Sequence, residues 1–217
     1  MELFMRQNSF RTVFIDGNSL YQVTKRESDG RAPLPETINY KRLRNLFQNE
    51  KTFRDPQPAR LEYYTIQREG DEKHSGFTHL LASLGIAINK KVIPARDESR
   101  RPSRPEDTSI EMTLDVIRAA DQFESIVLVT NQRRFIPVIK DAKARGCYVT
   151  LAFFGGAVPH DLMAAADQFM DLGEHVGQGF RIDQPEPREE REHHNQVPVA
   201  VGGDDVAEDD DAEYGDE

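Results

Sequence analysis

Asp16 is the first residue whose type and setting suggest chemistry. It closes the run Thr12, Val13, Phe14, Ile15 and stands directly before Gly17, Asn18 and Ser19. A carboxylate at the rim of an open parallel sheet sits where such sheets bind ligands. It can equally cap the turn that follows. Glu111 and Asp115 form a second candidate. They are four residues apart and share one helix face. Paired carboxylates offer the hard oxygen ligands that Mg²⁺ or Mn²⁺ takes. The plainer alternative is a solvated helix flank. A third candidate is the segment Thr130, Asn131, Gln132, Arg133, Arg134, Phe135. It carries amides, a hydroxyl and two guanidiniums but no carboxylate, a set suited to phosphate rather than metal. Ordinary turn chemistry with exposed arginines is the alternative. The stretch from Pro94 to Asp107 adds Arg96, Arg100, Arg101 and Arg104, which can track a nucleic-acid backbone, although Asp97 and Glu98 dilute the charge. Tyr63 and Tyr64 offer a stacking ring, with one of the two facing the core if the segment is a strand.

These residues need elements to hold them. The apolar runs ending at Asp16, Ile66, Ile93, Val129 and Phe154 read as strands, with a further short strand at 169–172. Between them lie helical patterns: Leu20 to Lys25 after a Gly17–Ser19 turn, Asn39 to Glu50 with Asn39 as N-cap, and Asp71 to Leu84 with Phe77, Leu80, Leu81 and Leu84 on one face. Thr108 and Glu111 have capping-box spacing, so a helix is expected from there to about Ala120, burying Ile110, Leu114 and Ile117. Helices are also expected at 135–145 and 160–168. Strands alternating with helices predict an α/β three-layer sandwich with a mostly parallel central sheet.

The charge is unevenly spread. The chain of 217 residues has net charge −10, yet residues 183–217 contain 14 acidic and 2 basic side chains, which leaves +2 for residues 1–182. The segment from 183 onward is rich in Asp, Glu and Pro and poor in apolar residues, so it is expected to be a disordered acidic tail. The single cysteine, Cys147, rules out an internal disulfide framework and a cysteine-based zinc cluster. No run is apolar enough for a signal peptide or a membrane span, so a soluble cytoplasmic protein with no membrane partner is expected.

Val13 to Tyr21, Ile110 to Ile117, Ile126 to Val138 and Lys143 to Val149 together resemble, in order, the motifs of NYN domains, the LabA-like branch of the PIN-like nuclease superfamily. The resemblance spans roughly residues 10–175. It implies a PIN-like fold similar to metal-dependent ribonucleases, in which clustered Asp residues bind Mg²⁺ or Mn²⁺. Asp16 matches the first-strand Asp and Asp115 the helix Asp. The Asp expected at the helix start falls on Ser109, and the two Asp of the loop fall on Gln132 and Arg134. The Asn often found three residues after the first Asp falls on Ser19, with Asn18 beside it.

Two functional expectations follow. One is an incomplete acidic site that binds RNA or phosphate with weak or lost cleavage, through Asn18, Ser19, Ser109, Thr130, Asn131, Gln132, Arg133 and Arg134, with Arg100, Arg101 and Arg104 alongside. The other is an active Mg²⁺- or Mn²⁺-dependent endoribonuclease in which Asp16 and Asp115 hold the metal, assisted by Glu111. A separate possibility is that the acidic tail recruits a basic protein partner or folds back on the domain's arginines.

Overall fold

The computed structural model describes residues 11–24, 38–49, 53, 59–95 and 106–176. The chain divides into two units, Met1–Asp183 and Gln184–Glu217. The second unit, and with it the expected acidic tail, lies outside the described residues, as do Arg96, Arg100, Arg101 and Arg104.

Six strands form one sheet: β1 (Arg11–Asp16), β2 (Ala59–Arg68), β3 (Ala87–Ile93), β4 (Ser125–Val129), β5 (Tyr148–Phe153) and β6 (Gln168–Asp171). Their order is β3-β2-β1-β4-β5-β6, and every pairing is parallel. β1 lies in the middle, and all six of its residues are buried. That burial explains its unbroken apolar run, because a central parallel strand is covered on both faces. The chain runs outward from β1 to β3, then returns to lay β4 on the other side of β1. The strand order therefore reverses between β1 and β4. Such a reversal opens a crevice at the carboxyl ends of the two strands, and Asp16 and Thr130 stand at its lips.

The helices are α1 (Gly17–Thr24), α2 (Tyr40–Gln48), α3 (Glu72–Ser83), α4 (Ser109–Gln122), α5 (Ile136–Ala144), α6 (His160–Ala165) and α7 (Gly173–Val176). Adjacent residues of β2 show how they divide between the faces. Successive strand side chains point in opposite directions. Tyr63 meets Tyr40 of α2 and Phe77 of α3, whereas Tyr64 reaches Asp115 of α4. The three-layer arrangement is thus as expected. Tyr63 and Tyr64 are both buried, at 2% and 0% exposure, so neither stands out from the sheet as a free stacking ring.

Several local features differ from the sequence reading. Asn39 caps α2 as expected, accepting from the Arg42 amide. No turn separates β1 from α1; the helix begins at Gly17 itself. The face of α4 is also different. Met112, Val116, Ala119 and Ala120 are buried, while Ile110 is 72% exposed and Leu114 48%. Two stripes on this helix fit the 3.6-residue period, and the one with small alanines allows close approach to the sheet. Leu80 of α3 likewise faces outward, while Leu81 enters the core. The expected capping box at Thr108 does not form: Thr108 makes no side-chain cap, and Glu111 pairs with Lys91 at 3.5 Å. No helix among the described residues is long and apolar enough to cross a membrane.

The direct strand-to-helix step depends on Gly17. A Cβ there would lie 2.6 Å from the ring of Tyr63, which is itself buried. Gly17→Ala is expected to lose about 1–3 kcal/mol of stability through overpacking. Chemical denaturation of the two proteins measures the difference.

Candidate functional site

Asp16 performs the local role that its position permits. It is the N-cap of α1: its Oδ1 accepts the Ser19 amide at 3.2 Å, the bond that a capping side chain makes to the third helical residue. Its Oδ2 accepts Ser19 Oγ at 2.5 Å and Thr130 Oγ1 at 2.9 Å. Thr130 Oγ1 in turn accepts the Gln132 amide at 3.2 Å, and Gln132 Nε2 reaches Ser19 Oγ at 3.3 Å. One carboxylate, 7% exposed, thereby ties the end of β1 to the loop after β4.

A cavity of about 20 Å³ opens beside it. Asp16, Asn18, Ser109, Gln132 and Arg134 supply its polar wall, and Met112 and Phe135 its apolar floor. The space suits one water molecule or one small group, not a buried substrate. It is the tip of an open site at the sheet's switch point.

Arg134 is held at this opening by a brace that spacing alone did not disclose. Its guanidinium donates to Asp107 Oδ2, and to Ser109 Oγ at 3.2 Å. Asp107 Oδ1 also accepts the Ser109 amide at 3.0 Å and the Ser109 hydroxyl, which substitutes for the missing Thr108 cap. Burial opposes ionisation of Asp107. The Ser109 hydrogen bonds and the Arg134 guanidinium outweigh it and hold the carboxyl below its usual range. A depressed carboxyl pKa contributes stability at neutral pH that is lost as pH falls through the folded-state value. Asp107→Asn should therefore be less stable than the parent at pH 7, by a fraction of a kcal/mol up to about 1 kcal/mol for so exposed a pair. The gap should close below about pH 4. Thermal melts of both proteins across that range test the sign.

The other residues singled out by sequence are placed as follows. Asp115 does not line the Asp16 cavity. Its Oδ2 accepts the Tyr64 hydroxyl at 2.9 Å and its Oδ1 accepts Arg118 at 3.0 Å. Burial first, and then this hydrogen bond, push the Tyr64 phenol well above the ordinary tyrosine range. Glu111 is drawn to Lys91. Asn131 donates to the Ala157 carbonyl at 3.3 Å and accepts from Gln132 at 3.0 Å, so it fixes the loop. Arg133 turns toward α6, where it pairs with Asp161 at 2.9 Å. Asn18, Ser109, Gln132 and Arg134 are brought together around the Asp16 cavity.

A second, larger cavity, about 790 Å³, adjoins the first and shares Asn18 and Thr108 with it. Its wall is aromatic. Tyr40, Tyr63 and Phe77 meet edge to face with ring centroids 5.3–5.7 Å apart, and His74 joins Phe77 at 5.9 Å. The rings come from α2, β2 and α3, and no local spacing links them in the sequence.

Mg²⁺ surrenders water reluctantly and is held by carboxylates. The Asp16 cavity offers one carboxylate, already accepting three hydrogen bonds, and a guanidinium in the same wall. Among the described residues no three His, Cys, Asp or Glu side chains converge in a metal-binding group. These donors do not fit a divalent ion; the Asn18 side-chain amide and a braced arginine fit a phosphate oxygen.

A parallel sheet whose first strand ends in a carboxylate at the switch point defines an α/β domain of the kind that binds ligands at that crevice. The NYN domain model matches residues 11–173, and the chain belongs to that family. It is similar to the low amplitude and bright protein LabA of Synechococcus elongatus, with 24% identity over 178 residues, 81% of this chain and 90% of the relative. The fold is also similar to the crystal structure of a protein of unknown function from Vibrio parahaemolyticus. The TM-score is 0.59 at 19% identity, covering 79% of this chain and 96% of the other.

Proposed function

We propose that this NYN domain is a cytoplasmic RNA-binding module that grips a backbone phosphate at the end of β1 and β4, with cleavage weak or lost. The observation that carries the reading is Arg134. Its guanidinium lines the Asp16 cavity and is braced by Asp107 and Ser109. A fixed guanidinium beside the Asn18 side-chain amide is suited to phosphate, and it repels the cation that a nuclease of this family would need. Asp16 then serves as a structural cap rather than a metal ligand. The small positive balance of residues 1–182 is compatible with a polyanion.

Fluorescence anisotropy with a labelled single-stranded RNA, in EDTA and across a salt series, tests this reading. Binding that needs no metal and weakens linearly on a log–log salt plot is the expected result. Affinity that appears only when Mg²⁺ or Mn²⁺ is added contradicts it and favours the metal-dependent endoribonuclease.

A further inference from the structure

We propose that the aromatic cavity beside the phosphate site receives an unstacked nucleobase of the same single-stranded RNA; this rests on the phosphate-binding reading above. Three observations point to it. The first is size. At about 790 Å³ the cavity lies within the range of sites that enclose a small organic group, whereas the Asp16 cavity does not. The second is chemistry. Tyr40 and Phe77 are partly exposed and sit against the buried ring of Tyr63, the partly exposed His74 sits against Phe77, and Tyr21, 57% exposed, lines the same cavity from α1. Every base has a π-face, so an aromatic wall accepts a base without needing its sequence. The third is continuity. Asn18 and Thr108 line both cavities, so a nucleotide whose phosphate meets Arg134 has its base next to the aromatic wall.

The polar groups of the cavity agree with this occupant. Arg68 lines it and offers a charged donor to an adjacent phosphate. Two carboxylates also line it, but both are engaged: Asp71 caps α3 through the His74 amide at 3.0 Å, and Glu106 pairs with Lys91 at 3.1 Å. His74 Nε2 is fixed against Thr65 Oγ1 at 3.2 Å, which sets the plane of its ring. Burial lowers the pKa of His74, so near neutrality it presents an uncharged aromatic face.

The test uses the full chain and two single-stranded oligomers of about ten nucleotides, one of ordinary RNA and one with every base removed. The ordinary oligomer is expected to bind about tenfold or more tightly than the abasic one. Tyr21→Ala, at a half-exposed position, and Phe77→Leu, which keeps most of the packed volume, should each remove most of that advantage. Neither should change affinity for the abasic oligomer. Equal binding of the two oligomers by the parent protein overturns the base pocket while leaving the phosphate site standing. Failure to bind either oligomer overturns the phosphate reading itself. An advantage for the ordinary oligomer that both variants retain also overturns the proposal, because the base is then held elsewhere.

Discussion

Arg134→Ala is expected to weaken single-stranded RNA binding by about tenfold or more and to make the affinity less sensitive to salt. A charged hydrogen bond to a phosphate contributes about 1.5–3 kcal/mol. Removing one phosphate contact should lower the log–log salt slope by about one. The fold should persist. Arg134 is about half exposed, and its link to Asp107 crosses between the start of α4 and the loop after β4 without entering the core. An exposed ion pair of this kind is worth about 1 kcal/mol or less. Arg134→Lys separates charge from geometry. It keeps the point charge, so most of the salt slope should remain, but it loses the planar guanidinium, whose Nη1 is braced by Asp107 and Ser109 and whose other donors face a phosphate in a fixed plane. Affinity for the lysine variant should fall between the parent and Arg134→Ala. Unchanged binding in Arg134→Ala contradicts the placement of the phosphate.

Asp16→Ala is expected to destabilise the domain by about 2–3 kcal/mol, a combination of a lost helix cap and of buried hydroxyls left short of an acceptor. For a domain of this size that corresponds to a melting temperature lower by roughly 4–12 °C. The expectation follows from the three hydrogen bonds that Asp16 accepts from Ser19 and Thr130. It also separates two roles. A carboxylate kept for metal repels its acidic neighbours in the metal-free protein, so its removal leaves stability unchanged or raises it. A carboxylate that caps a helix and joins two segments does the opposite. Asp16→Asn should fall between, because the amide keeps one acceptor oxygen but presents donors to the Ser19 and Thr130 hydroxyls. Melts in EDTA report the difference directly. No loss of stability in Asp16→Ala contradicts the capping role.

How much of this was legible in sequence depends on how local each signal is. β1 and β4 are continuous apolar runs because both lie inside a parallel sheet, so their ends, and the placement of Asp16 and Thr130 at those ends, were readable. The departures at Ser109, Gln132 and Arg134 were also visible once the motif order was seen, and these residues do line one cavity. The buried face of α4 was misread because Ile110, Leu114 and Ile117 are the larger apolar side chains. The sheet instead takes the stripe that includes Ala119 and Ala120. Asp107 lay outside the motif, so its brace to Arg134 emerged only when the start of α4 and the loop after β4 came together in space. The aromatic cavity was illegible for the same reason. Tyr40, Tyr63 and Phe77 come from three elements, and neighbouring Tyr63 and Tyr64 serve opposite faces of the sheet. The pairing of Asp16 with Asp115 as joint metal ligands came from motif matching, and the structure gives Asp115 to Tyr64 and Arg118.

The most direct test of the central claim follows one labelled single-stranded RNA with the full-length protein, once in EDTA and once in Mn²⁺. Affinity and RNA integrity are read from the same samples. A metal-independent phosphate site predicts equal affinity in both conditions and intact RNA throughout. Cleavage that appears with Mn²⁺ and disappears in Asp16→Asn would contradict it.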